Sequence, residues 1–171
     1  MILMVNCSLE TNWSPVQGDI MTRWAAKVKP GKTLQEYPRP QFTRNAWKNL
    51  NGLWEYAIRP NSENPPDSLD GKILVPFSIE APLSGVGRQL ETDEAIWYKR
   101  ILQIPEDWKD NTVLLHFEAS DFETTVWLNS EKIGHHRGGY QPFYFSIDGS
   151  QINEKAELYA DDPDFSKKIR E

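Results

Sequence analysis

Thr124-Thr125-Val126-Trp127-Leu128-Asn129-Ser130-Glu131-Lys132-Ile133-Gly134 is the stretch whose reading decides the fold. Five residues suited to a strand run into Asn129-Ser130, a pair suited to a tight turn, and the chain returns through Lys132-Ile133-Gly134. The pattern predicts a β-hairpin. On its C-terminal side Phe143-Tyr144-Phe145-Ser146-Ile147 alternates with one aromatic face and reads as a further strand. On its N-terminal side Ile96–Ile104, halted by Pro105, and Thr112–Phe117 read as an antiparallel pair around a turn that holds Trp108. Leu53–Ile58 and Lys72–Pro76 supply two earlier strands, parted by the Pro/Asn/Ser/Asp run from Arg59 to Gly71, and Ala156–Tyr159 supplies a short final one.

Short strands in series with turn signals between them, and little helix, predict an all-β sandwich of the jelly-roll kind rather than alternating β and α units. The strands are preceded by an irregular arm. Residues 1–44 hold no sustained period, and Tyr37-Pro38-Arg39-Pro40 is stiff and extended. Within this region Asp19–Ala26 reads as a short helical turn anchored by Trp24, and Thr43–Leu50 as one or two turns closed by Asn51-Gly52. The domain plan is an arm over 1–36, the jelly roll over 37–160 and a tail over 161–171 that reads as truncated. Alternate strand positions give an expected core of Trp54, Tyr56, Ile73, Trp97, Ile101, Leu114, Phe117, Val126, Leu128, Phe143 and Phe145.

Composition narrows the partners. At 171 residues the chain fits one domain, and 39% hydrophobic against 26% charged residues permits a packed core. A net charge of −6 without a basic stripe argues against nucleic acid. The single cysteine, Cys7, closes no internal disulfide. Met1–Val5 is apolar but too short for a membrane span or a signal-peptide core. The cellular address therefore stays open, with a periplasmic or secreted location following if a leader precedes this segment. Seven Trp, seven Phe and six Tyr suit both core packing and stacking against sugar rings.

Motifs that promise chemistry are few. His135-His136 are adjacent, so on a strand they face opposite ways and do not share a metal ion, and no other metal-ligand pattern accompanies them. Neither metal nor cofactor is expected. Glu118, Asp121 and Glu123 offer carboxylates of the kind glycoside hydrolysis employs, although acidic residues at a turn are ordinarily just solvated. Ser84-Gly85-Val86-Gly87 completes neither a serine elbow nor a phosphate loop. The loop 135–142, and above all the segment from His136 to Phe143, is more suggestive, because its glycines let backbone approach a ligand while Arg137, Tyr140 and Gln141 bring hydrogen bonds and stacking, although a glycine-rich turn with a core-facing Phe143 accounts for it equally well.

Four ordered blocks resemble the N-terminal sugar-binding domain of glycoside hydrolase family 2. They are Tyr37-Pro38-Arg39-Pro40-Gln41-Phe42 with Trp47-Lys48-Asn49-Leu50-Asn51-Gly52-Leu53-Trp54; Val75-Pro76-Phe77-Ser78-Ile79-Glu80-Ala81-Pro82-Leu83-Ser84-Gly85-Val86; Ile96-Trp97-Tyr98-Lys99-Arg100; and His116 through Thr124–Asn129 to Gly138–Phe143. The resemblance implies a galactose-binding-like jelly roll that sits, in family enzymes, beside an immunoglobulin-like domain and a catalytic barrel bearing two glutamates. It names no catalytic residue in this chain. It implies that the loops 84–94 and 137–140 reach toward a sugar pocket, which makes Arg88, Asp93, Arg137 and Tyr140 the candidate contacts. Some β-galactosidases place a carboxylate about where this chain has Gly138, so their sugar and cation contacts do not carry over.

Three functions remain open from sequence. The first is a non-catalytic accessory domain of a family 2 glycosidase, binding a β-glycoside weakly and docking on the barrel and immunoglobulin-like domains. The second is a free-standing carbohydrate-binding module or protein-interaction jelly roll, for which exposed tryptophans discriminate. The third is a self-contained glycosidase using Glu118, Asp121 or Glu123.

Overall fold

The computed structural model of the chain describes residues 13–18, 20–37, 41, 43–60, 64–152 and 156–163. Eight strands follow in order: β1 Gly52–Pro60, β2 Gly71–Val75, β3 Glu94–Leu102, β4 Thr112–Phe117, β5 Glu123–Leu128, β6 Glu131–Arg137, β7 Phe143–Asp148 and β8 Ala156–Pro163. They form a six-stranded sheet in the order β2-β1-β3-β8-β5-β6 and a two-stranded sheet β4-β7, with every pairing antiparallel. This is the expected all-β sandwich of jelly-roll type. Among the described residues no helix is long and apolar enough to cross a membrane.

The period of two explains the packing. In β3, Ile96, Tyr98 and Leu102 face the smaller sheet, where they meet Trp54, Val126, Leu128, Leu158 and, from across, Leu115 and Ile147. The intervening residues face the other way, and Trp97, Trp127, Tyr159 and Ala57 make a second cluster on the outer side of the large sheet. Burying both faces of the central strands is what lets one sheet hold three such aromatic rings.

The hairpin β5-β6 turns on Asn129 (φ 50°) and Ser130 (φ 69°), both left-handed, as a two-residue turn between right-twisted strands requires. Asn129 also ties the turn to β8: its N–H donates to the Glu157 carbonyl at 2.9 Å, and its Oδ1 accepts the Glu157 N–H at 3.0 Å.

Several expectations are corrected. No helix forms over 43–50, because the Asn49 side chain accepts the Asn51 N–H at 2.6 Å and both asparagine amides donate to the Leu34 carbonyl. Such side-chain bonds offer the backbone an alternative to helix. Gly52 accordingly opens β1 with φ 126° and caps nothing. Of the turn at 19–26 only a 3-10 turn at Ala25–Lys27 is present, Asp19 lying outside the described residues; Ala25 is the buried anchor and Trp24 is 56% exposed. Ile101 and Leu114 leave the core, at 43% and 39% exposed. Leu115 takes the inward place on β4, and Ile101 lies on the outer face opposite Glu157, beyond the tryptophan cluster. β6 continues through His135-His136-Arg137, so the loop expected from 135 begins at 138, and β3 ends at Leu102 rather than Ile104. Cys7, Met1–Val5, Pro38–Pro40 and the tail beyond 163 lie outside the described residues.

The two sheets are unequal, and that creates space. Phe145 of β7 lies against Gly134, so the small sheet sits over the β6 side of the large one. Along β4, which pairs only with β7 among the described residues, runs a groove of about 1980 Å³. Its walls are β4 on one side and residues 46–51 and 75–80 on the other, with Trp54, Ile96, Tyr98 and Leu102 beneath.

Candidate functional site

The first candidate loop is braced from within. Pro82–Ser84 forms a 3-10 turn capped by Gly85 in the left-handed region. The buried Ser84 hydroxyl donates to the Ile79 carbonyl at 3.1 Å and accepts the Val86 N–H at 3.0 Å, while the Trp13 indole donates to the Ser84 carbonyl at 2.8 Å. Ser84 is therefore a strut and no nucleophile. Further on, the Arg88 guanidinium pairs with the Glu94 carboxylate at the entry to β3, and Glu94 also accepts the Glu91 N–H at 2.9 Å. That backbone bond first, then Arg88, holds Glu94 below the usual carboxylate range. Asp93, one residue earlier, is exposed.

The second loop uses its two glycines differently. Gly138 has φ 141°, and its N–H donates to the Phe122 carbonyl at 2.7 Å. A Cβ on Gly139 would lie 2.4 Å from Asp121 Oδ1, so the loop closes over that carboxylate only without a side chain. Arg137 stands over the Phe122 ring at 5.2 Å, and Tyr140 is 96% exposed.

The acidic and histidine motifs resolve into separate contacts. His135 Nε2 meets Glu123 Oε1 at 2.7 Å on the outer face, whereas the His136 ring stacks on Phe143 with centroids 4.0 Å apart. The two histidines do face opposite ways. Among the described residues no three His, Cys, Asp or Glu side chains converge as a metal site.

Register brings the end of the first loop, where it enters β3, and the second loop to one end of the large sheet. Ala95 pairs with Arg59 and Pro163, Asp161 pairs with Thr125, and Glu123 pairs with Arg137, so β3 begins where β6 ends. The loops lie three strand spacings apart there, about 14 Å. Their candidate residues share a rim without converging on one point. Beside Arg88 the rim carries Arg59 and Asp70, paired at 2.8 Å. Burial pulls Asp70 upward, but the Ile58 N–H and the Arg59 guanidinium outweigh it and leave the carboxyl below its ordinary value.

A depressed carboxylate contributes stability that is present above its unfolded pKa, near 4, and is lost as pH falls through the folded value. The urea midpoint of the protein should therefore be flat from about pH 5 to 8 and drop below about pH 4. Glu94→Gln should lie below the wild type by a constant margin over the flat range, and that margin should shrink in acid; a margin that widens there refutes the pairing.

Of the seven tryptophans, Trp24 and Trp47 are exposed, and Trp54, Trp97 and Trp127 are buried. The Trp24 face is occupied by the Arg23 guanidinium at 4.4 Å, while Trp47 lies 4.8 Å from Tyr37 at the mouth of the inter-sheet groove. Sequence reading missed this pair, since it placed Trp47 on a helical turn.

Comparison with known proteins gives a consistent picture. Residues 75–158 match the family described as "Glycosyl hydrolases family 2, sugar binding domain". A β-glucuronidase of Paenibacillus borealis is 22% identical over 117 residues, 65% of this chain and 20% of that protein. One from Bacteroides fragilis is 32% identical over 88 residues, covering 52% of this chain and 10% of its own length. The solved β-glucuronidase of Faecalibacterium prausnitzii superposes with a TM-score of 0.59 at 25% identity, over 75% of this chain and 22% of that one. The chain spans about a fifth of the length of the first of these relatives.

Proposed function

We infer from one premise, that residues 75–158 of this chain are a sugar-binding domain of glycosyl hydrolase family 2, that the chain works as a non-catalytic accessory domain in carbohydrate turnover. The observation that carries this reading is the family match laid over a sandwich in which the end of loop 84–94, where it enters β3, and loop 137–140 share one sheet end. Such a rim suits a domain that lends contacts to a neighbouring pocket.

In this reading Tyr140 offers an open ring for stacking and Arg137 a guanidinium for sugar oxygens, while Arg88, tied to Glu94, holds the other loop in place and Asp93 accepts from hydroxyls. The neighbours that would complete the site are the immunoglobulin-like and barrel domains of a family 2 enzyme, and the ligand is a β-glycoside. Chemistry from this chain's own carboxylates is disfavoured by their engagement: Glu123 is held by His135, and Gly139 closes over Asp121.

Purified protein is expected to release no nitrophenol from β-galactoside, β-glucuronide or β-mannoside substrates, and to bind the free sugars weakly in calorimetric titration. Tyr140→Ala and Arg137→Ala should weaken that binding further. Turnover that disappears in Glu118→Gln or Glu123→Gln would overturn the accessory reading in favour of a self-contained glycosidase. One observation, the exposed Trp47, favours the free-standing binding module as a second reading.

A further inference from the structure

We propose that Trp47 and Tyr37 form a sugar-stacking subsite at the mouth of the inter-sheet groove, taking a pyranose ring of an oligosaccharide. The proposal rests on the sugar-binding reading above and adds a place that none of the loop candidates occupies.

The pair is held by a built framework. Leu34 adopts φ 44°, a left-handed conformation rarely occupied by a branched residue, and persists only where its surroundings fix it. Here its carbonyl accepts from Asn49 Nδ2 at 2.8 Å and from Asn51 Nδ2 at 3.0 Å, so the arm segment carrying Tyr37 is clamped across the segment carrying Trp47. That second segment is itself tied to the sheet. Lys48 Nζ donates to the Gln103 carbonyl at 2.6 Å, and the Arg100 guanidinium donates to the Leu50 carbonyl. The rings thus meet with centroids 4.8 Å apart and planes 57° apart, and Trp47 stays 37% exposed. A flat apolar face at a groove mouth suits the C–H face of a pyranose, as it suits other amphipathic ligands.

Polar groups for the hydroxyls stand nearby. Glu36 and Arg44 line the same groove, and neither makes an ion pair among the described residues. A carboxylate and a guanidinium together accept from and donate to vicinal hydroxyls. The groove extends from the Tyr37–Trp47 pair to β4, which is why an oligosaccharide rather than a single sugar is the ligand tested. Trp24, the other exposed indole, lies outside the groove and serves as the control.

The test titrates the full chain with β-linked tetrasaccharides of galactose, mannose and glucuronate, following tryptophan fluorescence and heat. Wild-type protein is expected to bind at least one with a change in indole emission. Trp47→Ala should weaken that binding by about tenfold or more, a loss typical of a stacking anchor. Trp47→Phe should retain most of it, and Trp24→Ala all of it, with urea midpoints confirming that each variant is folded. Affinity unchanged in Trp47→Ala overturns the subsite but leaves sugar binding standing. Loss confined to Arg137→Ala and Tyr140→Ala overturns it in favour of the rim, and no binding by the wild type overturns the subsite, while the accessory reading, whose pocket the neighbouring domains complete, is overturned only by turnover in the nitrophenol assay.

Discussion

Replacing Gly149 with alanine is expected to destabilise the domain by about 3 kcal/mol or more, among the largest effects of any single methyl group here. Gly149 is buried at the end of β7, where its N–H donates to the Asn111 carbonyl at 2.9 Å. A Cβ there would lie 2.4 Å from the Trp108 carbonyl oxygen, 2.8 Å from that of Asn111 and 2.9 Å from that of Lys109. All three are backbone atoms of the turn that leads into β4, so no side-chain rotation relieves them. The turn must move, and with it the strand that walls the groove. In urea the unfolding midpoint should fall, and the melting temperature should drop by roughly 10 °C. Gly31→Ala is the control, because a Cβ at Gly31 meets nothing within 4 Å. Equal midpoints for Gly149→Ala and wild type would show that the turn is not packed as described.

What could be read from sequence follows from which interactions are local. The β5-β6 hairpin was legible because Asn129-Ser130 carries its turn chemistry within two residues. The assignment of faces was less secure, since a slip of one residue turns every side chain over. That is how Leu114 was expected in place of Leu115; Ile101 does share the outer face with Trp97, and it is exposed because the cluster on that face does not extend to it. The end of β6 was hidden because His135-His136-Arg137 is polar. Its place in the sheet depends on Glu123 and Phe143, residues supplied by neighbouring strands.

The candidate site divides in the same way. The two loops were visible as irregular, glycine-bearing segments, and Gly138 and Gly139 do mark a close approach of backbone to Asp121. That the end of the first loop and the second loop share one sheet end depends on β8 inserting between β3 and β5, a non-local pairing that no local pattern encodes. The exposure of Trp47 was likewise invisible. It rests on the Leu34 carbonyl, 15 residues away from Asn49, drawing asparagine amides out of what reads as a helix.

Trp97→Ala should cost about 3–5 kcal/mol, because it empties the centre of the outer cluster. Trp97 is fully buried, packs on Trp127 with ring centroids 4.9 Å apart, and sits opposite Ala57 and Asp161 on its two neighbouring strands. Its indole N–H is buried and has no hydrogen-bond partner among the described residues. A buried donor left without an acceptor costs about 1–3 kcal/mol. Phenylalanine at this position keeps most of the ring and removes that donor, so the packing lost and the desolvation relieved act in opposite directions. Trp97→Phe is therefore expected to stay within about 1 kcal/mol of wild type, while Trp97→Ala does not. Urea unfolding of the two variants side by side separates the terms. If Trp97→Phe proves as damaging as Trp97→Ala, the indole nitrogen contributes a bond in solution, and the outer cluster is held by more than apolar contact.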